Sequence, residues 1–212
     1  MKRDILVATA MNYLGAKELD HKHRELVDVY NTLEPVPRGY YVTPADPWCA
    51  IFVSACIKLA GLDKALPTEC SCTEMLLAYK TNPKFGTVVK EADPKLANLE
   101  RGDLVFYGKS GSPANTSEHV GIVTNVLPSS WDTIEGNWRN GVNIRQHISK
   151  SWDGIKAYVK PNYPDEAWEK EKAEAKAWVV QNEIIKGDEN GIDWSQYINL
   201  ERLAVILKRL CT

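Results

Sequence analysis

The sequence predicts an α+β domain, N-terminal helices packed on an antiparallel sheet, followed by a small helical tail. Three observations predict it. Apolar residues in the first third recur at helical spacing. After about Arg101, short β-rich runs separated by Gly and Ser clusters take over, as hairpin connections require. Helices first and strands second is the order expected of segregated α and β layers. The 212 residues suffice for one full domain with a core, plus an appendage.

The first helix is expected over 1–14. Lys2 and Arg3 before Ile5–Ala8 imitate the start of a secretory leader, but Asp4 interrupts the charge and Asn12 and Tyr13 interrupt the apolar run. An amphipathic helix ending near Gly15 is therefore read, and a cleaved leader is not expected. A second helix follows over 20–32. Pro35, Pro37, Gly39, Pro44 and Pro47 mark a long loop. The segment 50–60 is apolar on nearly every face, which predicts a buried helix stopped by Gly61. A short helix is expected over 73–80. Strands are expected over 104–107, 119–126, 131–137, 142–148 and 155–159.

Two prolines in 160–165 separate a main domain, 1–160, from a tail, 161–212. The tail reads as a charged helix over 166–182, a Gly/Asp-rich turn, and a last helix near 200–210. Trp168, Ala175, Trp178 and Val179 form one apolar stripe. One stripe cannot build a core alone, so the tail is expected to dock on the main domain, on a second copy of the chain, or on a wall polymer.

Composition bounds the function. Apolar residues make up 44% and charged residues 25%, the net charge is −2 and the pI about 6.1. No basic stripe marks a nucleic-acid binder. No segment approaches the ~20 apolar residues of a membrane span. The five cysteines are odd in number and show no pair of CxxC motifs, which argues against a disulfide framework and a zinc site. Cys70-Ser-Cys72 is at most half a metal site, and no DxDxDG-type calcium loop is visible. Neither a metal nor an organic cofactor is expected.

The chemistry gathers around Asp46-Pro47-Trp48-Cys49. Asp is a preferred N-cap and Pro a preferred first helical residue, which puts Cys49 third in the buried helix. A sulfur there meets unpaired N–H groups and the positive helix end, and its pKa falls. The nearby Asp46 carboxylate opposes this unless its own bonds occupy it.

A thiolate needs a base. His21 and His23 sit among charged residues and read as solvated, and His147 lies far along the chain. His119 opens a strand whose same face carries Gly121 and Val123, leaving room beside the imidazole for a substrate backbone. Val120, Ile122 and Val126 point the other way. Glu135 and Asn137 share a face of the next strand. A three-residue hairpin loop, 127–129, would set His119 opposite Asn137, and either residue could then orient the imidazole. Trp138 follows Asn137 and is placed to line a substrate groove, with Trp131 and Trp152 around the same cleft.

The ordered runs PWCAIFVSACIKLAGL, RGDLVFYG, EHVGIV and DTIEGNW resemble the CHAP family of cysteine, histidine-dependent amidohydrolases/peptidases, relatives of NlpC/P60 and papain-like hydrolases. The likeness spans about residues 1 to 160. It implies a papain-like fold and cleavage of peptidoglycan amide bonds, either N-acetylmuramoyl–L-alanine or a bond in the stem peptide or cross-bridge. Carried over, Cys49 is the nucleophile, His119 the base and Glu135 the acidic third member. Asn137 matches the asparagine that follows it. Trp48 matches an aromatic often seen before the nucleophile and is expected to bind substrate.

The tail run WVVQNEIIKGDENG…LERLAVILKRL is similar to a single S-layer-homology-type repeat, which implies attachment to wall polymer. Lysins of phages and prophages often join such a domain to such a tail. They are made in the cytoplasm and act on the wall without a signal peptide. Two other readings use the same residues: a papain-like protease or acyltransferase acting on proteins, and a non-catalytic wall-binding module.

Overall fold

A computed structural model describes residues 2–90, 99–109, 113, 116–149, 152–164, 174, 177, 178 and 181. The chain divides into two units, Met1–Tyr163 and Pro164–Thr212. In the second, Glu174, Ala177, Trp178 and Gln181 are helical. The rest of the expected tail helices, the apolar stripe apart from Trp178, and the S-layer-like run lie outside the described residues.

The first unit is an α+β arrangement. Its helices are α1 (Lys2–Met11), α2 (His21–Asn31), α3 (Cys49–Leu59) and α4 (Cys72–Thr81). Its strands are β1 (Gly86–Lys90), β2 (Leu104–Tyr107), β3 (His119–Val126), β4 (Ser130–Glu135), β5 (Asn143–Ser149) and β6 (Ile155–Pro161). They form one antiparallel sheet in the order β1-β6-β2-β3-β4-β5. No described helix is long and apolar enough to cross a membrane.

Local chemistry explains the helix ends. Asp20 caps α2 by accepting from the His23 amide, and Ser71 caps α4 by accepting from the Glu74 amide. In α1 the buried residues are Leu6, Val7 and Ala10, while Ile5 and, beyond the helix end, Leu14 face solvent. Helix α3 buries nine of its eleven residues, from Cys49 to Ile57, in agreement with its all-round apolar sequence.

The sheet carries a different core on each face. Leu104, Phe106, Val120, Ile122, Ile134, Ala157 and Val159 pack with α1, α2, α3 and α4 in the main core. The alternate residues Val105, Tyr107, Val123, Trp131, Ile148, Ile155 and Tyr158 form a smaller cluster on the opposite face. Gly136 meets Phe52, so a side chain there would hold α3 off the end of β4.

Three expectations change. Strand β1 adds to the expected set: Gly86–Lys90 is short and pairs with β6, a non-local partner no hairpin signal announces. The main unit continues through Tyr163, because Pro161 pairs with Gly86 and the Tyr163 hydroxyl donates to the Gly102 carbonyl at 2.6 Å. The β3–β4 hairpin pairs Val126 with Trp131 rather than Ser130, and a bulge between Val123 and Asn125 restores the expected register further on, at Ile122 opposite Ile134. The bulge also turns Val126 toward the smaller cluster instead of the main core.

Candidate active site

Cys49 is the first residue of α3, not the third. The residue before it, Trp48, makes no side-chain cap. Asp46 is unavailable for capping because its carboxylate accepts from the Thr43 amide at 2.7 Å, the Thr43 hydroxyl at 2.9 Å and the Tyr40 hydroxyl at 2.9 Å. These bonds, the Thr43 amide foremost, hold its pKa below the usual carboxylate range. Its negative charge is thus engaged within the loop, and the start of α3 keeps free N–H groups beside the sulfur.

A second helix start meets the first. Cys72 opens α4, and its Sγ lies 3.3 Å from the Cys49 Sγ. Both sulfurs are buried, and none of the four described cysteines is in a disulfide. Cys49 is held well below the ordinary thiol pKa. The hydrogen bond with Cys72 contributes most, burial opposes it, and the His119 imidazole and the Ala50 amide add to the lowering. Cys72 is pushed the other way, by its bond to Cys49 and by burial. Of the two touching sulfurs, Cys49 is the one favoured as thiolate and Cys72 the one favoured as the thiol that donates to it.

His119 begins β3, with its side chain on the face of the smaller cluster. Its Nε2 lies 2.8 Å from the Glu135 Oε2, and Glu135 is wholly buried. Burial works against the imidazolium, but bonding to Cys49 and Glu135 outweighs it and carries the His119 pKa up to about 9. The Cys49 sulfur and the His119 ring each favour the charged form of the other, and the Glu135 carboxylate favours the imidazolium. The Cys49 sulfur is also 4.0 Å from the Glu118 carbonyl, so it abuts the residue that leads into β3.

Glu135 is itself positioned. The Thr133 hydroxyl donates to its Oε1 at 2.6 Å, and the Tyr107 hydroxyl stands 3.3 Å from that same hydroxyl. The carboxylate reaches His119 across Gly121, where an added Cβ would come within 2.8 Å of the Glu135 Cγ and 3.1 Å of the Thr133 Cβ. The space beside the imidazole that Gly121 opens is therefore filled by Glu135, not left for a substrate backbone. Ser117 fastens the preceding loop: its amide donates to the Thr73 hydroxyl of α4, and its hydroxyl lies 2.9 Å from the carbonyls of Tyr107 and His119.

Of the residues singled out from the sequence, Cys49, His119 and Glu135 come together. Asn137 does not join them. Strand β4 ends at Glu135, and Asn137 sits in the following turn in a left-handed conformation, φ +56°, with no bond to His119 among the described residues. Trp48 has no substrate-facing surface: it is wholly buried and packs on His23, ring centres 4.4 Å apart. His23, expected in solvent, is likewise wholly buried and accepts from the Leu19 amide at 2.9 Å. Trp131 is core, edge-on to Tyr158. Trp138 is half-buried and stands 6.1 Å from the His119 ring. A cleft of about 270 Å³ opens beside Cys49, lined by Tyr40, Val42, Pro47, Ser71, Cys72 and Glu118 among others.

Cys72 joins the site although Cys70-Ser-Cys72 suggests, at most, half a metal site. The signal that finds it is Ser71-x-x-Glu74, a capping-box pattern that makes Cys72 the first residue of a helix. Among the described residues no group of three or more His, Cys, Asp and Glu is placed to hold a metal. No protein-family model matches the chain, and no curated protein matches it.

Proposed function

We propose that the protein is a cysteine-dependent amide hydrolase of papain-like fold, acting on peptidoglycan at a muramoyl–alanine, stem-peptide or cross-bridge bond. The observation that carries the chemistry is the Cys49 sulfur, lowered in pKa at an uncapped helix start beside an open cleft and favoured as thiolate by the imidazole that Glu135 holds. The substrate class rests on the ordered CHAP-like runs.

The mechanism follows from the geometry. The Cys49 thiolate attacks the amide carbonyl, forming a C–S bond. Free N–H groups at the start of α3 receive the developing oxyanion. Glu135 occupies Nε2, so the proton for the leaving amine comes from the other ring nitrogen of His119. Breaking the C–N bond leaves a thioester and neutral imidazole. His119 then takes a proton from water, the hydroxide attacks the thioester, and the acid product leaves as the thiolate is restored.

Purified peptidoglycan and intact proteins are digested side by side. New amino groups and muropeptides from the wall alone support the reading, and new L-alanine amino termini specify an amidase. Proteins cut in preference to wall would make the enzyme a protease instead. Undiminished wall lysis by Cys49→Ala would remove the assignment altogether.

A further inference from the structure

Arg145 stands on the edge strand β5, opposite Thr133. That register puts its side chain on the same face as Thr133, Glu135 and His119. Its guanidinium carbon lies 4.4 Å from the ring centre of Trp138, 4.4 Å from that of Trp152 and 5.1 Å from that of Tyr107. Trp138 and Tyr107 are also the rings that flank His119, at 6.1 and 5.9 Å. One aromatic frame thus holds both the imidazole and the guanidinium.

The frame orients the cation without consuming its donors. Arg3 bonds Asp103, Arg38 bonds Glu69, and Arg101 bonds the Thr124 carbonyl. Arg145 makes no hydrogen bond or ion pair among the described residues. Stacking on ring faces leaves the in-plane N–H groups of a guanidinium outward, in the planar fork that matches a carboxylate. A half-buried cation stacked on three rings, with no acceptor among the described residues and two of those rings flanking His119, is a binding group suited to an anion.

We propose that Arg145, clamped by Trp138, Trp152 and Tyr107, binds a free carboxylate of the peptide whose amide bond is presented to Cys49. The inference rests on the hydrolase reading and names a feature of its substrate: a peptide carrying an unamidated carboxyl group near the cleaved bond.

Binding is measured apart from turnover. N-acetylmuramoyl peptides with their carboxyls free, or converted to carboxamides, are titrated calorimetrically into Cys49→Ala protein and into Cys49→Ala/Arg145→Gln protein. The free acid is expected to bind on the order of tenfold more tightly than the carboxamide, the worth of one charge-assisted contact. That preference should vanish in the Gln variant, while the carboxamide binds both proteins alike. Arg145→Lys keeps the charge without the fork and should fall between Arg and Gln. Equal binding of acid and amide, no binding of either, or a Gln substitution that weakens both equally would overturn the carboxylate role. Hydrolysis of the same peptides by the unaltered protein reports separately on the hydrolase reading: failure there removes that reading and the substrate it names.

Discussion

The starts of α3 and α4 differ less in sequence than in outcome. Each opens with a buried cysteine, and the two sulfurs touch, yet one is driven toward the thiolate and the other toward the thiol. The helix with the side-chain cap is the one that stays protonated: Ser71 caps α4, while α3 has no cap. The larger difference is the His119 imidazole, which lowers the pKa of Cys49, whereas Cys72 is governed by its bond to Cys49 and by burial. A helix end thus prepares a thiol for ionisation, but a cationic partner decides which of two prepared thiols ionises.

The contrast between the two sulfurs breaks most sharply on substitution of each. Cys49→Ala should abolish wall hydrolysis, by at least about 10⁴-fold, as loss of a nucleophile does. Cys72→Ala should cost only about tenfold, the worth of one hydrogen bond to a charged group. Amino-group release from purified walls measures both, and equal losses would mean that the two cysteines act as one unit.

His119→Gln comes next, with an expected loss of about 10²- to 10⁴-fold. Rates of iodoacetamide alkylation against pH should then show the Cys49 pKa rising, which erases its difference from Cys72. In the unaltered protein kcat/KM should fall as pH rises through about 9, because His119 there loses the proton it gives to the leaving amine. At the acid end the rate should fall where Cys49 takes up a proton, well below the ordinary thiol range. An alkaline limb near the ordinary histidine pKa would show that Glu135 and Cys49 do not hold the imidazolium.

Gly121→Ala is a subtler test. The added methyl meets Glu135 at 2.8 Å from Cγ and should push the carboxylate off His119, lowering kcat by about 10²-fold. Gly121→Ala combined with Glu135→Gln should then be little worse than either alone. The smallest effect is expected from Cys72→Ser, whose hydroxyl still donates: the Cys49 pKa should stay lower than in Cys72→Ala.

Much of this arrangement is legible in the residues. The all-round apolar run after Trp48 marks α3, and short β-rich runs bounded by Gly and Ser mark β2 and β3 at their observed ends. Cys49, His119 and Glu135 are legible because each stands at the boundary of a patterned element. Three features are hidden for physical reasons. Trp48 resembles a groove residue because periodicity does not say which way a side chain turns before a helix begins. Strand β1 is stabilised by a partner roughly seventy positions away, a separation at which local pattern carries no signal. The fate of Asn137 depends on where β4 stops, and a turn with positive φ at Asn137, Arg139 and Asn140 ends it earlier than the apolar pattern suggests.

The bulge at Thr124 has a consequence for how the hairpin tolerates insertion and deletion. Strand faces alternate with a parity of two, and the connection after Val126 is one residue out of step with the pairing at Ile122. Thr124 absorbs that odd residue. Deleting it alone would leave Val126 opposite Trp131 and Val123 opposite Thr133 in a strand of unbroken alternation, so the imidazole keeps its face. A one-residue insertion between His119 and Val123, which no bulge absorbs, would instead turn the imidazole to the face of the main core, so the hairpin forgives the loss of a residue where it does not forgive a gain.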